Sequence, residues 1–136
     1  MFIIIDANVA SEFPERTAEA KAIVVWIKNR GKLSTGGKNL EELFRTKIRV
    51  FVQEIIKAGR GTIFDNTKIV SAEKQLNGLK CRSDDPHVLG LALVSGARLL
   101  YTRDINLSKD FTDINIIPIP KGKCYKNCYR HRHLLT

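Results

Sequence analysis

The run Phe2-Ile3-Ile4-Ile5 constrains this chain most, because it is apolar at every position and stops at Asp6. A strand with one wet face alternates apolar and polar residues. A short run with no polar position marks a strand covered on both sides. Such a strand belongs in the middle of a parallel sheet, with helices packed above and below it.

The remaining residues supply the layers. Pro14 precedes a predicted helix over Glu15–Arg30, with Glu15 and Glu19 near its start and Gly31 at its end. A short strand follows at Lys32–Thr35, then a Gly36-Gly37 turn. Leu40, Leu43, Phe44, Ile48, Phe51, Val52, Ile55 and Ile56 recur at helical spacing and predict one long helix over Leu40–Ala58. Thr62–Phe64 reads as a short strand or extended link. Lys68–Leu79 reads as a helix capped by Asp65 or Thr67. Pro86 starts a helix over Asp85–Ser95 that is apolar nearly all round. Arg98–Thr102 is the next strand and Leu107–Phe111 a helical turn. Ile114–Ile119 is expected as an edge strand, limited by Pro118 and Pro120. The fold class expected is a three-layer α/β/α arrangement on a mostly parallel central sheet of about four to five strands.

A chain of 136 residues fits one domain, and no apolar run is long enough to span a bilayer or to serve as a signal peptide. A cytoplasmic protein with no membrane partner is expected. Cys81, Cys124 and Cys128 are odd in number, which argues against a disulfide framework. The formal charge of +9 points to a polyanionic partner, most simply nucleic acid. More than half of that excess lies in residues 121–136, where Lys121, Lys123, Lys126, Arg130 and Arg132 meet no acid. This division suggests a body over 1–120 and a basic tail over 121–136. Cys124-x3-Cys128-x2-His131-x-His133 has zinc-ligand residue types, but its spacing departs from finger patterns. Its basic, histidine and tyrosine side chains suit RNA backbone and bases better.

Within this basic chain, acids stand where chain direction changes. Asp6 ends the first strand, Glu41 and Glu42 open a helix, Asp84 and Asp85 precede another, and Asp104 follows the strand ending at Thr102. Ligands of parallel sheets gather beyond the carboxyl ends of the strands. Carboxylates brought together there repel one another unless a cation lies between them. A hard divalent ion bound by oxygen ligands resolves the repulsion. Helical geometry favours Glu41 beside the apolar stripe, while a site at the helix start admits Glu42. Asn8 could position a water or cap a turn. Asp110 is either a fifth, outer carboxylate or a local cap or surface residue. Arg45 and Arg103 could meet phosphates or neutralise the acids, and Thr102 could add a hydroxyl.

Taken in order, Ile3-Ile4-Ile5-Asp6-Ala7-Asn8, Glu41-Glu42-Leu43, Ser83-Asp84-Asp85-Pro86-His87-Val88-Leu89-Gly90-Leu91-Ala92 and Leu99-Leu100-Tyr101-Thr102-Arg103-Asp104 resemble the PIN-domain ribonucleases over residues 1–120. The segment from Pro120 to Leu135 resembles tails in a subgroup of small prokaryotic members. The resemblance implies that Asp6, Glu42, Asp85 and Asp104 hold one or two Mg²⁺ or Mn²⁺ ions. It further implies metal-dependent cleavage of RNA to a 5′-phosphate and a 3′-hydroxyl, by the toxin of a toxin–antitoxin pair or by an RNA-processing enzyme. The partners it suggests are RNA, an antitoxin that covers the acidic pocket, and a second copy in a homodimer.

Other classes fit less well. A haloacid-dehalogenase-like phosphatase needs a second acid two residues after the first, where this chain has Asn8. A dinucleotide or P-loop site needs a glycine-rich turn after the first strand, and Asp6–Pro14 contains no glycine. A non-catalytic PIN-like module that binds RNA or protein is the remaining alternative.

Overall fold

The computed structural model describes all 136 residues. Five strands form one sheet: β1 (Phe2–Ile5), β2 (Lys32–Gly36), β3 (Gly61–Phe64), β4 (Leu99–Tyr101) and β5 (Lys123–Tyr125). Their order is β3-β2-β1-β4-β5 and every pairing is parallel. The helices are α1 (Ala18–Asn29), α2 (Gly37–Phe44), α3 (Arg49–Lys57), α4 (Asn66–Gln75), α5 (Pro86–Ser95) and α6 (Ile105–Phe111). Single 3₁₀ segments cover Ala7–Glu12 and Arg132–Leu134.

β1 is central, as its apolar run requires. Ile3, Ile4 and Ile5 are each 0% exposed, and the strand pleat sends them to two different cores. Ile3 and Ile5 pack with Ile23 and Ile27 of α1, Leu43 of α2 and Val52 and Ile55 of α3. Ile4 packs on the opposite face with Ile69 of α4, Val88 and Leu91 of α5 and Leu107 of α6. Two helical layers therefore enclose the sheet, which gives the three-layer α/β/α fold.

Several boundaries differ from expectation. α1 begins at Ala18, where the Thr17 hydroxyl accepts the Ala20 N–H at 3.2 Å, so Glu15 lies before the helix. The single helix expected over Leu40–Ala58 is two helices. Thr46 breaks it: its hydroxyl donates to the Leu43 carbonyl at 2.6 Å and its Oγ1 accepts the Ile48 N–H at 3.4 Å. These bonds compete with the regular helical ladder. Because Leu43, Ile48, Val52 and Ile55 still face one core, the apolar spacing continues across the break. Ile114–Ile119 is not a strand. Ile116 and Ile117 are buried there from an irregular segment.

The sheet is instead completed by Lys123–Tyr125, inside the expected tail. Leu100 pairs with Cys124 and Tyr101 with Tyr125. Tyr125 is fully buried, and Trp26 of α1 donates its indole N–H to the Thr136 carbonyl at 3.2 Å. Residues 121–136 thus pack on the body. No helix is long and apolar enough to cross a membrane.

Candidate functional site

The strand order creates a switch point. From β1 the chain moves outward through β2 to β3, then returns to the other side of β1 as β4. The carboxyl ends of β1 and β4 lie side by side, with Ile5 paired to Tyr101. Crevices of this kind are where parallel sheets bind ligands. Asp6 emerges into it. Its N–H donates to the Tyr101 carbonyl at 3.1 Å, and its Oδ2 accepts the Thr102 hydroxyl at 2.8 Å. The residue is only 5% exposed. Burial raises the Asp6 pKa above the usual carboxylate range. The Thr102 hydrogen bond opposes that rise, and the charges of Asp85 and Glu42 add to it.

α2 is fixed to this edge by a buried relay. The Thr35 hydroxyl donates to Asn39 Oδ1 at 2.7 Å, and Asn39 Nδ2 donates to the Ile5 carbonyl at 2.9 Å. Entry into the helix needs Gly37, whose φ is +52° and where a Cβ would collide with the Asn66 side chain. Glu42 lies in the second turn of α2, not at the helix start. It is half-buried and acts on Asp6, while Glu41 is exposed. The stripe that favoured Glu41 ran through Phe51, which belongs to a separate helix. Glu42 Oε1 is 4.0 Å from Lys38 Nζ and 3.5 Å from His87 Nε2.

Asp85 occupies the N-cap position of α5, yet its side chain makes no capping hydrogen bond. Its carboxylate is free of the helix and adds to the field at Asp6. Asp84 beside it is exposed. The loop that delivers Asp85 is held by Asp110, which is 0% exposed. Asp110 accepts the Arg82 N–H at 2.9 Å and the Ser83 N–H at 2.8 Å, and lies 3.7 Å from the Arg82 guanidinium. It is therefore neither an outer ligand nor a surface residue. It anchors the loop.

Asp104 caps α6. Its Oδ1 accepts from Asn106 N at 2.9 Å and Leu107 N at 3.1 Å, while its own N–H donates to Thr102 Oγ1 at 3.1 Å. Thr102 thus joins Asp104 to Asp6. Asp85 and Glu42 both act on the Asp6 carboxyl, and Asp104 is tied to it through the shared Thr102 hydroxyl. No three or more His, Cys, Asp or Glu side chains stand close enough to hold a single metal ion together.

Beyond Asn8, which lies 3.4 Å from the Thr102 hydroxyl, Arg45, Lys47 and Glu15 line a neighbouring cleft of about 470 Å³. Neither Arg45 nor Lys47 makes an ion pair. Arg103 faces elsewhere, pairing with Glu12 at 3.1 Å and Glu19 at 3.5 Å and stacking over Tyr101. Its ion pairs are with Glu12 and Glu19 and not with the acids of the crevice. Tyr101 also hydrogen-bonds Glu12. Burial raises the Glu12 carboxyl, but the bonds from Arg103 and Tyr101 outweigh it and hold the group low. In the tail, His131 Nδ1 accepts the N–H groups of Lys126 at 2.9 Å and Asn127 at 3.2 Å. That imidazole closes a turn rather than joining Cys124, Cys128 and His133 around a metal.

Sequence reasoning passed over Asn39 and His87. A polar residue four positions after Thr35 signals the first, and a lone imidazole in an otherwise apolar helix signals the second. Among known proteins, no family model, curated protein or solved structure matches this chain.

Proposed function

We propose that this chain is a divalent-metal-dependent ribonuclease of the PIN-domain kind, cutting RNA phosphodiester bonds. The observation that carries the reading is the buried Asp6 carboxylate at the β1–β4 switch point, in the field of Asp85 and Glu42. Carboxylates held in one field, one of them away from water, repel in a way that a cation relieves. The donors are all oxygen, which suits Mg²⁺ or Mn²⁺. They fit in kind, but as they stand they do not converge on one point. Glu42, now between Lys38 and His87, has to turn inward for the set to close.

Asp6, Glu42 and Asp85 would hold the ion, with Asp104 closing the set. Bound there, Mg²⁺ or Mn²⁺ supplies a Lewis acid and a nucleophile at neutral pH. Thr102 keeps Asp6 oriented through its hydroxyl. Arg45 and Lys47, unpaired beside Asn8, take the phosphates flanking the cut. The net charge of +9 draws the polyanion to the surface.

Two cellular roles fit this reading: a cytoplasmic toxin whose antitoxin covers the crevice, or an enzyme of RNA processing or turnover that has no antitoxin. Growth arrest on overexpression, relieved by a co-expressed neighbour, tests the first. A second reading, a non-catalytic RNA- or protein-binding module, is favoured by the lack of a closed metal-ligand group. Cleavage of mixed RNA and single-stranded DNA in Mg²⁺, Mn²⁺ or EDTA separates the two. The nuclease reading expects RNA cleavage that EDTA, Asp6→Asn and Glu42→Gln abolish and Glu41→Gln leaves intact. Cleavage that survives EDTA, or is equal in Asp6→Asn and wild type, removes the carboxylate–metal mechanism. Binding without cleavage supports the module.

A further inference from the structure

We propose that His87 is a positioning residue of the acidic crevice, whose imidazole Nε2–H holds Glu42 turned inward in the set of carboxylates that takes the divalent cation. The inference rests on the metal-site reading above and adds to it a side chain outside the carboxylate set.

His87 lies in the first turn of α5, and the residues after it, Val88 through Val94, are all apolar or glycine. It is 3% exposed, and neither Nδ1 nor Nε2 has a hydrogen-bond partner. Burying polar atoms without partners opposes folding, and an apolar side chain of similar shape would fill the same space without that penalty. Packing alone therefore does not account for an imidazole here. The single carboxylate within ion-pair reach is Glu42, 3.5 Å from Oε1 to Nε2 and not hydrogen-bonded to it.

Glu42 stands between two partners. On the solvent side is Lys38, 4.0 Å away, with its side chain 62% exposed. An exposed pair of this kind holds a carboxylate only weakly. On the buried side is His87, fixed in α5 two residues after Asp85. A small turn of Glu42 away from Lys38 aligns its oxygen with the Nε2–H, in the tautomer that carries the proton there. One carboxylate oxygen is then tied to the imidazole and the other is left for the cation. Partners of this type orient metal-ligating carboxylates, and their loss typically weakens metal binding by about 10- to 100-fold. The arrangement also distinguishes the two adjacent glutamates. Glu42 has the imidazole beside it, and Glu41 is exposed.

The test is calorimetric titration of the full chain with Mn²⁺, for wild type, His87→Leu, His87→Gln, His87→Asn, Glu42→Gln and Asp6→Asn. His87→Leu is expected to weaken Mn²⁺ binding by about 10-fold or more, while the metal-free protein melts no lower than wild type. His87→Gln, whose amide N–H₂ reaches the place of Nε2, recovers most of the affinity. The shorter His87→Asn does not, and this pair decides the matter if the leucine variant fails to fold. In a Glu42→Gln background, His87→Leu should cause little further loss. Wild-type affinity in His87→Leu, equal affinities in the Gln and Asn variants, or an undiminished further loss in the Glu42→Gln background overturns the role of His87 alone. Absence of Mn²⁺ binding by wild type and Asp6→Asn alike overturns the metal-site reading, and this inference with it.

Discussion

Asp6 is 5% exposed, faces two further acids and has Thr102 as its side-chain hydrogen-bond donor. Its pKa is raised, first by burial and then by Asp85 and Glu42. A carboxyl whose pKa is higher folded than unfolded contributes stability at pH below its unfolded pKa. That contribution is lost as pH rises through the folded value. In the absence of divalent ions, Asp6→Asn should therefore melt a few degrees higher than wild type near neutral pH. The gap should close as pH falls into the carboxylate range. Thermal melts in EDTA across that range check this, and a variant that melts lower at neutral pH contradicts it. Asp6 was legible because it ended an unbroken apolar run. Asn39 and His87 were not: in a linear pattern, a buried polar side chain looks like an interruption of the core, and only the fold shows which carbonyl or carboxylate it faces.

At the scale of elements, the loop before α5 is held by a carboxylate far along the chain. Asp110 receives the N–H groups of Arg82 and Ser83, which have no other partner of this quality. Asp110→Ala should cost about 1–3 kcal/mol, since it leaves two partly buried N–H groups without their acceptor. On the proposed metal-site reading it should also weaken Mn²⁺ binding, because Asp85 follows directly on that loop. Urea unfolding measures the first effect and Mn²⁺ titration the second. Stability within experimental error of wild type would dismiss the anchor. Of the elements that sequence located well, β1 and β4 send side chains into both cores, and α5 is buried through most of its length in one. Those it misjudged had weak or misleading local signals. The apolar spacing from Leu40 to Ile56 is preserved across the Thr46 break because both helices press on the same side of β1. Ile114–Ile119 outscores Lys123–Tyr125 in apolar content, yet the latter has the free edge of β4 to pair with.

For the whole molecule, the basic segment is part of the body. Deleting Lys121–Thr136 removes β5, uncovers the edge of β4 and takes away Tyr125 and Leu134, both buried in the core around Tyr101. The truncated chain should aggregate or unfold, as shown by sedimentation and loss of a cooperative melt. A soluble, cooperatively melting truncation would contradict the packing described here. On the proposed ribonuclease reading, the contribution of the segment to RNA affinity is then best measured with Lys126→Gln, Arg130→Gln and Arg132→Gln. Each phosphate contact removed should flatten the salt dependence by about 0.7 in log–log slope. The Thr102–Asp6 hydrogen bond joins residues 96 positions apart, and the Arg103–Glu12 pair beside it joins residues 91 apart. Closing so long a loop has an entropic cost that must be met before the contact returns anything. Among the strand pairings, β1–β4 closes the longest loop. The acidic crevice is thus built on the closure with the largest entropic cost in the sheet, and it is expected to form late in folding.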